Sequence, residues 1–164
     1  MPRRLAIFTL GCRVNHYESA ALADSARALG FEVVGWSEPA DIGVINSCAL
    51  TVLAEAKTRQ AIRIFARNNP QSKIAVTGCY AQTDPHKFAQ LPNIGWVVCN
   101  RLKARTVEII SKYPAGGEPL EFADSAMPAS PEIVCGSQPL SDRMNLKIQD
   151  GCDNACAYCI IPRA

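Results

Sequence analysis

Histidine is scarce in this 164-residue chain, which has only two, and so is charge of one sign: 17 Lys and Arg against 15 Asp and Glu leave a net +2. An excess that small gives no general attraction to nucleic acid, so any RNA contact must come from local patches. Long apolar runs are missing as well. None approaches the roughly 18 residues that a membrane span requires, and no membrane partner is expected. The opening Met1-Pro2-Arg3-Arg4 is basic, but the apolar stretch Leu5 to Leu10 is short and runs into Gly11-Cys12, not a small-residue cleavage site. No export signal is read there, and the expected location is cytoplasmic. The two histidines, His16 and His86, lack the paired spacing of a zinc knuckle.

Cysteine, by contrast, is plentiful. Eight of them in a chain without an export signal point away from a disulfide framework, because the cytosol keeps thiols reduced, and toward metal or cluster ligation. Three lie close together near the C-terminus, in Gly151-Cys152-Asp153-Asn154-Ala155-Cys156-Ala157-Tyr158-Cys159, a C-x3-C-x2-C motif. Three thiolates on one short loop can hold three corners of a cubane iron–sulfur cluster and leave the fourth iron open to a further ligand, which suggests chemistry beyond electron storage.

The length suits one domain of ordinary size and falls short of that plus a complete second one. Residues 4 to 112 alternate strand-like and helix-like stretches, the pattern of an α/β unit with a mainly parallel sheet. Strands are expected at Leu5–Leu10, Phe31–Gly35, Asp41–Asn46, Lys73–Thr77 and Trp96–Val98. Helices are expected at Tyr17–Leu29, Thr51–Asn69, near Pro85–Gln90, and at Lys103–Lys112, giving a Rossmann- or flavodoxin-like fold of five parallel strands flanked by helices. From Tyr113 the texture becomes rich in proline and glycine, and residues 113–140 read as a linker. Met144 to Gln149 then looks like a single strand feeding the cysteine loop, as at the start of a β/α barrel. The expected division is therefore an α/β domain over 1–112, a linker over 113–140, and over 141–164 only the first strand and loop of a barrel that would need about 250 residues.

Three further cysteines fall where this reading places strand C-termini: Cys12 after the first strand, Cys48 after the third and Cys79 after the fourth. All strand C-termini of a parallel sheet lie on one edge, where open α/β folds bind ligands. Gly11, Asn15, Asn46, Ser47, Gly78 and Gln82 beside them allow tight turns and backbone amides directed at sulfur. Each cysteine taken alone is equally a small buried hydrophobe. Cys99 also follows a strand, Cys135 lies in the linker, and His16 stands close enough in sequence to Cys12 to be a fourth ligand or a solvated helix-start residue. Zinc is the rival metal, though its structural sites usually take four ligands in paired knuckles.

On the helix beginning at Thr51, Arg59, Arg63 and Arg67 recur every four residues, opposite an apolar arc of Leu53, Ala54, Ala61, Ile64 and Phe65. This cationic face suits either solvent or RNA phosphates. Lys57 falls within the apolar arc, with a stem able to pack and an ammonium able to reach the cysteine loops.

Several segments together resemble the radical S-adenosylmethionine methylthiotransferases: Thr9 to Ser19, Asn46-Ser47-Cys48, Glu55 to Gln60, Val76 to Gln82, and Lys147 to Pro162. The resemblance covers residues 4 to 110 and 143 to 164, in the family's own order. The Gly11-Cys12-Arg13-Val14-Asn15 start is most similar to the branch acting on N6-threonylcarbamoyladenosine at position 37 in the tRNA anticodon loop. Other branches act on isopentenyladenosine or on a ribosomal-protein aspartate. The resemblance implies two 4Fe-4S clusters. Cys152, Cys156 and Cys159 would hold the one that binds S-adenosyl-L-methionine, with Tyr158 beside the adenine; Cys12, Cys48 and Cys79 would hold an auxiliary cluster that delivers sulfur. It also implies an external electron donor. Most of the family's barrel and its C-terminal RNA-binding domain lie outside these residues, so this polypeptide alone is expected to be inactive. Two readings of other classes are an isolated cluster-binding scaffold and a zinc-stabilised α/β binding domain.

Overall fold

A computed structural model of the chain describes residues 2–114, 118–122 and 147–163. Its centre is a parallel sheet in the order β2-β1-β3-β4-β5-β6. The strands are β1 (Arg4–Thr9), β2 (Glu32–Val34), β3 (Ile42–Ser47), β4 (Lys73–Gly78), β5 (Ile94–Val98) and β6 (Leu120–Phe122). Strands β3, β4 and β5 are buried along their lengths and read as near-continuous apolar runs, as expected where helices cover both faces. Helices α1 (Arg13–Ala28) and α4 (Thr106–Lys112) enclose one core with Leu5, Leu22, Val44, Trp96 and Ile109. The opposite core holds Ile62 and Phe65 of α2 (Val52–Asn68) and Tyr80 of α3 (Cys79–Thr83), with Ile45, Val76 and Phe88. No helix among the described residues is long and apolar enough to cross a membrane.

The fold is the expected Rossmann-like α/β class, with a sixth strand added. Leu120-Glu121-Phe122 lies in the stretch read as linker, yet it pairs in parallel with Trp96, Val97 and Val98 of β5. Three residues are too few to show alternation; Phe122 is held by packing on Tyr113, ring centroids 5.3 Å apart. Helix α1 begins at Arg13, four residues before the expected Tyr17, because its first turns bury polar Asn15, Glu18 and Ser19, which an apolar periodicity does not register. The last helix starts at Thr106, not Lys103: residues 100–105 form a 3-10 segment in which Lys103 itself is buried. Cys79 opens a short helix where a loop was expected. Of the strand expected over Met144–Gln149, the first three residues lie outside the described residues, and Lys147–Gln149 are not in a strand. Cys135 also lies outside them.

Helix α2 runs almost as expected, with Thr51 Oγ1 accepting from the Ala54 amide at 3.1 Å as its N-cap. Its inward stripe is Thr58, Ala61, Ile62, Phe65 and Ala66. Leu53, Lys57 and Ile64 stand more than about 100° round the helix from the centre of that stripe, and all three are exposed. The expected apolar arc is thus corrected at Leu53 and Ile64, and Lys57 does not pack within it. Arg63 and Arg67 face solvent, whereas Arg59 turns to the Tyr80 hydroxyl at 3.0 Å.

Candidate metal centre

The sheet register determines where the strand-end cysteines lie. Thr9 pairs with Asn46, Asn46 with Thr77, and Ser47 with Gly78, so β1, β3 and β4 end together on one edge. Cys48 and Cys79 are the next residues along adjacent strands, and Cys12 lies three residues beyond Thr9, at the N-cap of α1. Two glycines make the approach possible. A Cβ on Gly11, at φ +110°, would lie 2.8 Å from Cys48 Cβ and 3.0 Å from its Sγ. One on Gly78, at φ +91°, would lie 2.4 Å from the Ser47 carbonyl oxygen. Only a residue without a side chain lets these loops close on each other.

Asn15 fastens α1 to the same edge. Its Nδ2 donates to Leu10 O at 2.7 Å and Ser47 O at 3.2 Å, and Asn46 Nδ2 donates back to Asn15 O at 3.0 Å and Ser19 Oγ at 3.1 Å. Ser47 Oγ donates to Thr77 O and accepts from the Ala81 amide at 3.2 Å, tying β3, β4 and α3 together. These bonds place the three cysteines on one rigid frame.

The thiols differ in exposure: Cys12 is exposed, Cys79 half-buried and Cys48 buried. Burial pushes the Cys79 thiol up from its ordinary value, the Lys103 ammonium opposes that shift, and Cys48, Cys12 and Glu18 each add a smaller upward push. The three sulfurs thus share one electrostatic neighbourhood, in which Lys103 favours the thiolate that ligation needs. Among the described residues, no three His, Cys, Asp or Glu side chains are already gathered to hold a metal ion. The donor set nevertheless suits an iron–sulfur group: three soft thiols, with the Leu50 amide 3.5 Å from Cys48 Sγ. At the same strand ends, buried Asn46 Oδ1 and Thr77 Oγ1 have no hydrogen-bond partner among the described residues, leaving acceptor capacity open beside the thiols. His16 is exposed and joins no metal group. Cys99 is buried in the α1–α4 core at the end of β5.

The second set lies on an open loop. Cys152 and Cys159 are half-buried and Cys156 exposed, Tyr158 is 93% exposed, and Cys159 N–H bonds to Cys156 O at 3.0 Å in a tight turn. Cys156, Tyr158, Cys159, Ile160 and Arg163 line a cavity of about 370 Å³. Just before this loop, Lys147 Nζ reaches Glu18 Oε1 at 3.2 Å, and Lys103 Nζ takes Glu18 Oε2 at 2.5 Å. Glu18, Lys103 and Lys147 are buried, at 5%, 3% and 4% side-chain exposure. Burial pulls the Lys147 pKa down, but hydrogen bonding to Asp150 and the Glu18 charge together outweigh it and leave it raised.

No role for these three charges was read from the sequence. The available signal was Asn15, Glu18 and Ser19 at i, i+3 and i+4, three polar residues on the face that later carries Leu22 and Ala26. Lys103 and Lys147 give no local sign, because their partner is 85 and 129 positions away.

The fold and site define a Rossmann-like α/β protein with cysteines following three adjacent strand ends and, after it, a three-cysteine loop whose root is held to α1 by Lys147. The chain belongs to a family that matches it over residues 4–99, described as uncharacterized protein family UPF0004. It is 38% identical over 162 residues to the threonylcarbamoyladenosine tRNA methylthiotransferase MtaB of Bacillus subtilis, covering 98% of this chain and 36% of that protein. The MtaB of Chlamydia pneumoniae is 40% identical over 154 residues, 93% of this chain and 34% of the relative. A tRNA-2-methylthio-N(6)-dimethylallyladenosine synthase of Solibacter usitatus is 29% identical over 158 residues, 95% and 36% respectively. The chain thus spans about a third of the length of these curated relatives.

Proposed function

We propose that the chain is the N-terminal part of a tRNA methylthiotransferase that converts N6-threonylcarbamoyladenosine at position 37 to its 2-methylthio derivative. The observation that carries this reading is that Cys12, Cys48 and Cys79 all follow strand ends on one sheet edge, with the root of the C-x3-C-x2-C loop held to the adjoining α1 through Lys147 and Glu18. The relatives named for tRNA methylthiolation support it, and the higher identity to those named for threonylcarbamoyladenosine favours that nucleoside over dimethylallyladenosine. The α/β domain is assigned to 1–112, the connection to 113–140 and the beginning of the radical domain to 141–164, with β6 docking the connection onto the sheet.

In this reading Cys12, Cys48 and Cys79 hold one 4Fe-4S cluster and Cys152, Cys156 and Cys159 the other. The chemistry supplied when these groups and S-adenosyl-L-methionine are bound is one-electron cleavage and sulfur delivery to an unactivated C–H position. The chain's own contribution is placement. Gly11 and Gly78 let the strand-end loops pack closely, Asn15 and Ser47 hold the loops that carry the three cysteines, and the exposed Tyr158 offers a ring for stacking on adenine. An external donor supplies the electron. The cytoplasm, where tRNA is modified and thiols stay reduced, is the fitting location. Arg63 and Arg67 give α2 an exposed cationic face suited to tRNA phosphates.

Nucleoside analysis tests the assignment. In tRNA from cells lacking the gene, the 2-methylthio form of threonylcarbamoyladenosine should disappear; an unchanged level overturns the reading. Anaerobic reconstitution with iron and sulfide should load about four irons per site in two sites. Bound zinc without charge-transfer absorption would instead establish a zinc-stabilised domain.

A further inference from the structure

Four charges of alternating sign run from the α/β domain into the cysteine loop. Lys103 pairs with Glu18 at 2.5 Å, Glu18 with Lys147 at 3.2 Å, and Lys147 with Asp150 at 2.7 Å. The first three side chains are almost wholly buried, and Asp150 is 70% exposed. Each oxygen of the Glu18 carboxylate takes a different ammonium, so the glutamate is shared between two parts of the chain. Burying three ionised groups removes them from water at a large cost, and their mutual attraction only roughly offsets it. Such a network is a weak source of stability and a strong source of position, because breaking one pair leaves the other charges buried without compensation.

The location of the network gives that position a use. Glu18 is on α1, whose N-cap is Cys12 and whose Asn15 holds the residue before Cys48. Lys103, on the segment after β5, is near enough to Cys79 for its charge to favour the thiolate. Lys147 and Asp150 lie five and two residues before Cys152. One carboxylate therefore stands between the frame of the first cysteine set and the root of the second. Each hydrogen bond it accepts is directional, so the pair fixes the loop's approach as well as its distance.

We propose that Glu18 is a positioning residue that locks the C-x3-C-x2-C loop onto the three-cysteine edge through Lys147, with Lys103 holding the carboxylate in place. The mechanical claim stands on this geometry, and only the identity of what the two cysteine sets hold rests on the proposed function.

Hydrogen exchange on the intact protein, with and without iron–sulfur reconstitution, tests it. Lys147→Met leaves the Glu18–Lys103 pair intact, so β1 to β5 should keep their protection while the Cys159 and Arg163 amides, hydrogen-bonded to Cys156 O and Ile160 O, exchange at least about tenfold faster. Lys147→Arg should restore protection. Glu18→Gln should loosen the same residues and, if it also disturbs folding, the Lys147 pair of variants still decides. In the reconstituted protein, Lys147→Met should retain the iron content of both sites while the magnetic interaction between the two reduced centres weakens. Unchanged exchange at Cys159 and Arg163 in Lys147→Met, or an unchanged magnetic interaction, overturns the proposal. Wild-type protein that takes up no iron but shows the exchange response keeps the lock and overturns the cluster reading. Normal iron uptake with no exchange response does the reverse.

Discussion

Asn15 Nδ2 donates to the Ser47 backbone carbonyl at 3.2 Å while also holding Leu10 O at 2.7 Å, so one amide on α1 spans the ends of β1 and β3. Each carbonyl lies near a cysteine, Leu10 two residues before Cys12 and Ser47 one before Cys48. Asn15→Ala removes both bonds inside a buried site. The expected loss is about 2 kcal/mol in urea denaturation, since a typical internal hydrogen bond contributes about 1 kcal/mol net. Iron uptake should fall with it, because the two loops lose their common anchor.

Gly78→Ala should be among the most damaging single changes in the chain. The new methyl would sit 2.4 Å from Ser47 O at a φ of +91°, so both backbone strain and a clash with rigid neighbours apply. A loss of at least about 3 kcal/mol is expected, read as a large fall in urea midpoint or as insoluble protein.

Cysteine substitutions separate ligands from core residues. Cys48→Ser should remove about four of about eight irons from reconstituted protein. Cys99→Ala should leave iron uptake intact and cost about 1 kcal/mol of stability, because Cys99 sits in the α1–α4 core. Equal iron content in the two variants would contradict the assignment of Cys48.

A pH dependence follows from Glu108. Hydrogen bonds from Arg105 and then Lys112 hold its carboxyl down at about 2, against an ordinary 4.5. A carboxyl whose folded pKa is depressed contributes stability above its unfolded pKa and loses it as pH falls through the folded one. Glu108→Gln should therefore lower stability at pH 7, by less than about 1 kcal/mol for such an exposed cluster. The gap between variant and wild type should narrow between pH 4.5 and about 2 in acid titration followed by circular dichroism.

The residues that were legible in the sequence are those whose signal is local. Val44-Ile45 and Ala75-Val76 announce buried strands by their runs, Thr51 and Asn69 bracket α2 as capping chemistry requires, and strand-end cysteines follow from counting along those elements. Leu120 to Phe122 escaped because an edge strand of three residues owes its existence to β5. The orientation of α2 was misjudged for a related reason: Thr58, fully buried with its hydroxyl on Ala54 O, counts as polar in a periodicity and as core in the fold. Glu18, Lys103 and Lys147 were illegible as a group. Charges far apart in the chain become partners only once the sheet has brought α1, the segment after β5 and the loop root together.

Strand β6 also has a kinetic consequence. Phe122 is fixed to Val98 on the sheet, and Lys147, 25 positions later in the sequence, is fixed to Glu18 on α1. Lys147 thus meets Glu18 at an effective concentration set by a short tether, and each opening is followed by rapid rebinding. Were the covalent connection between Phe122 and Lys147 lost, this internal contact would become an encounter between two separate molecules. The cysteine loop would then dissociate on dilution, though no residue of either cysteine set had been altered.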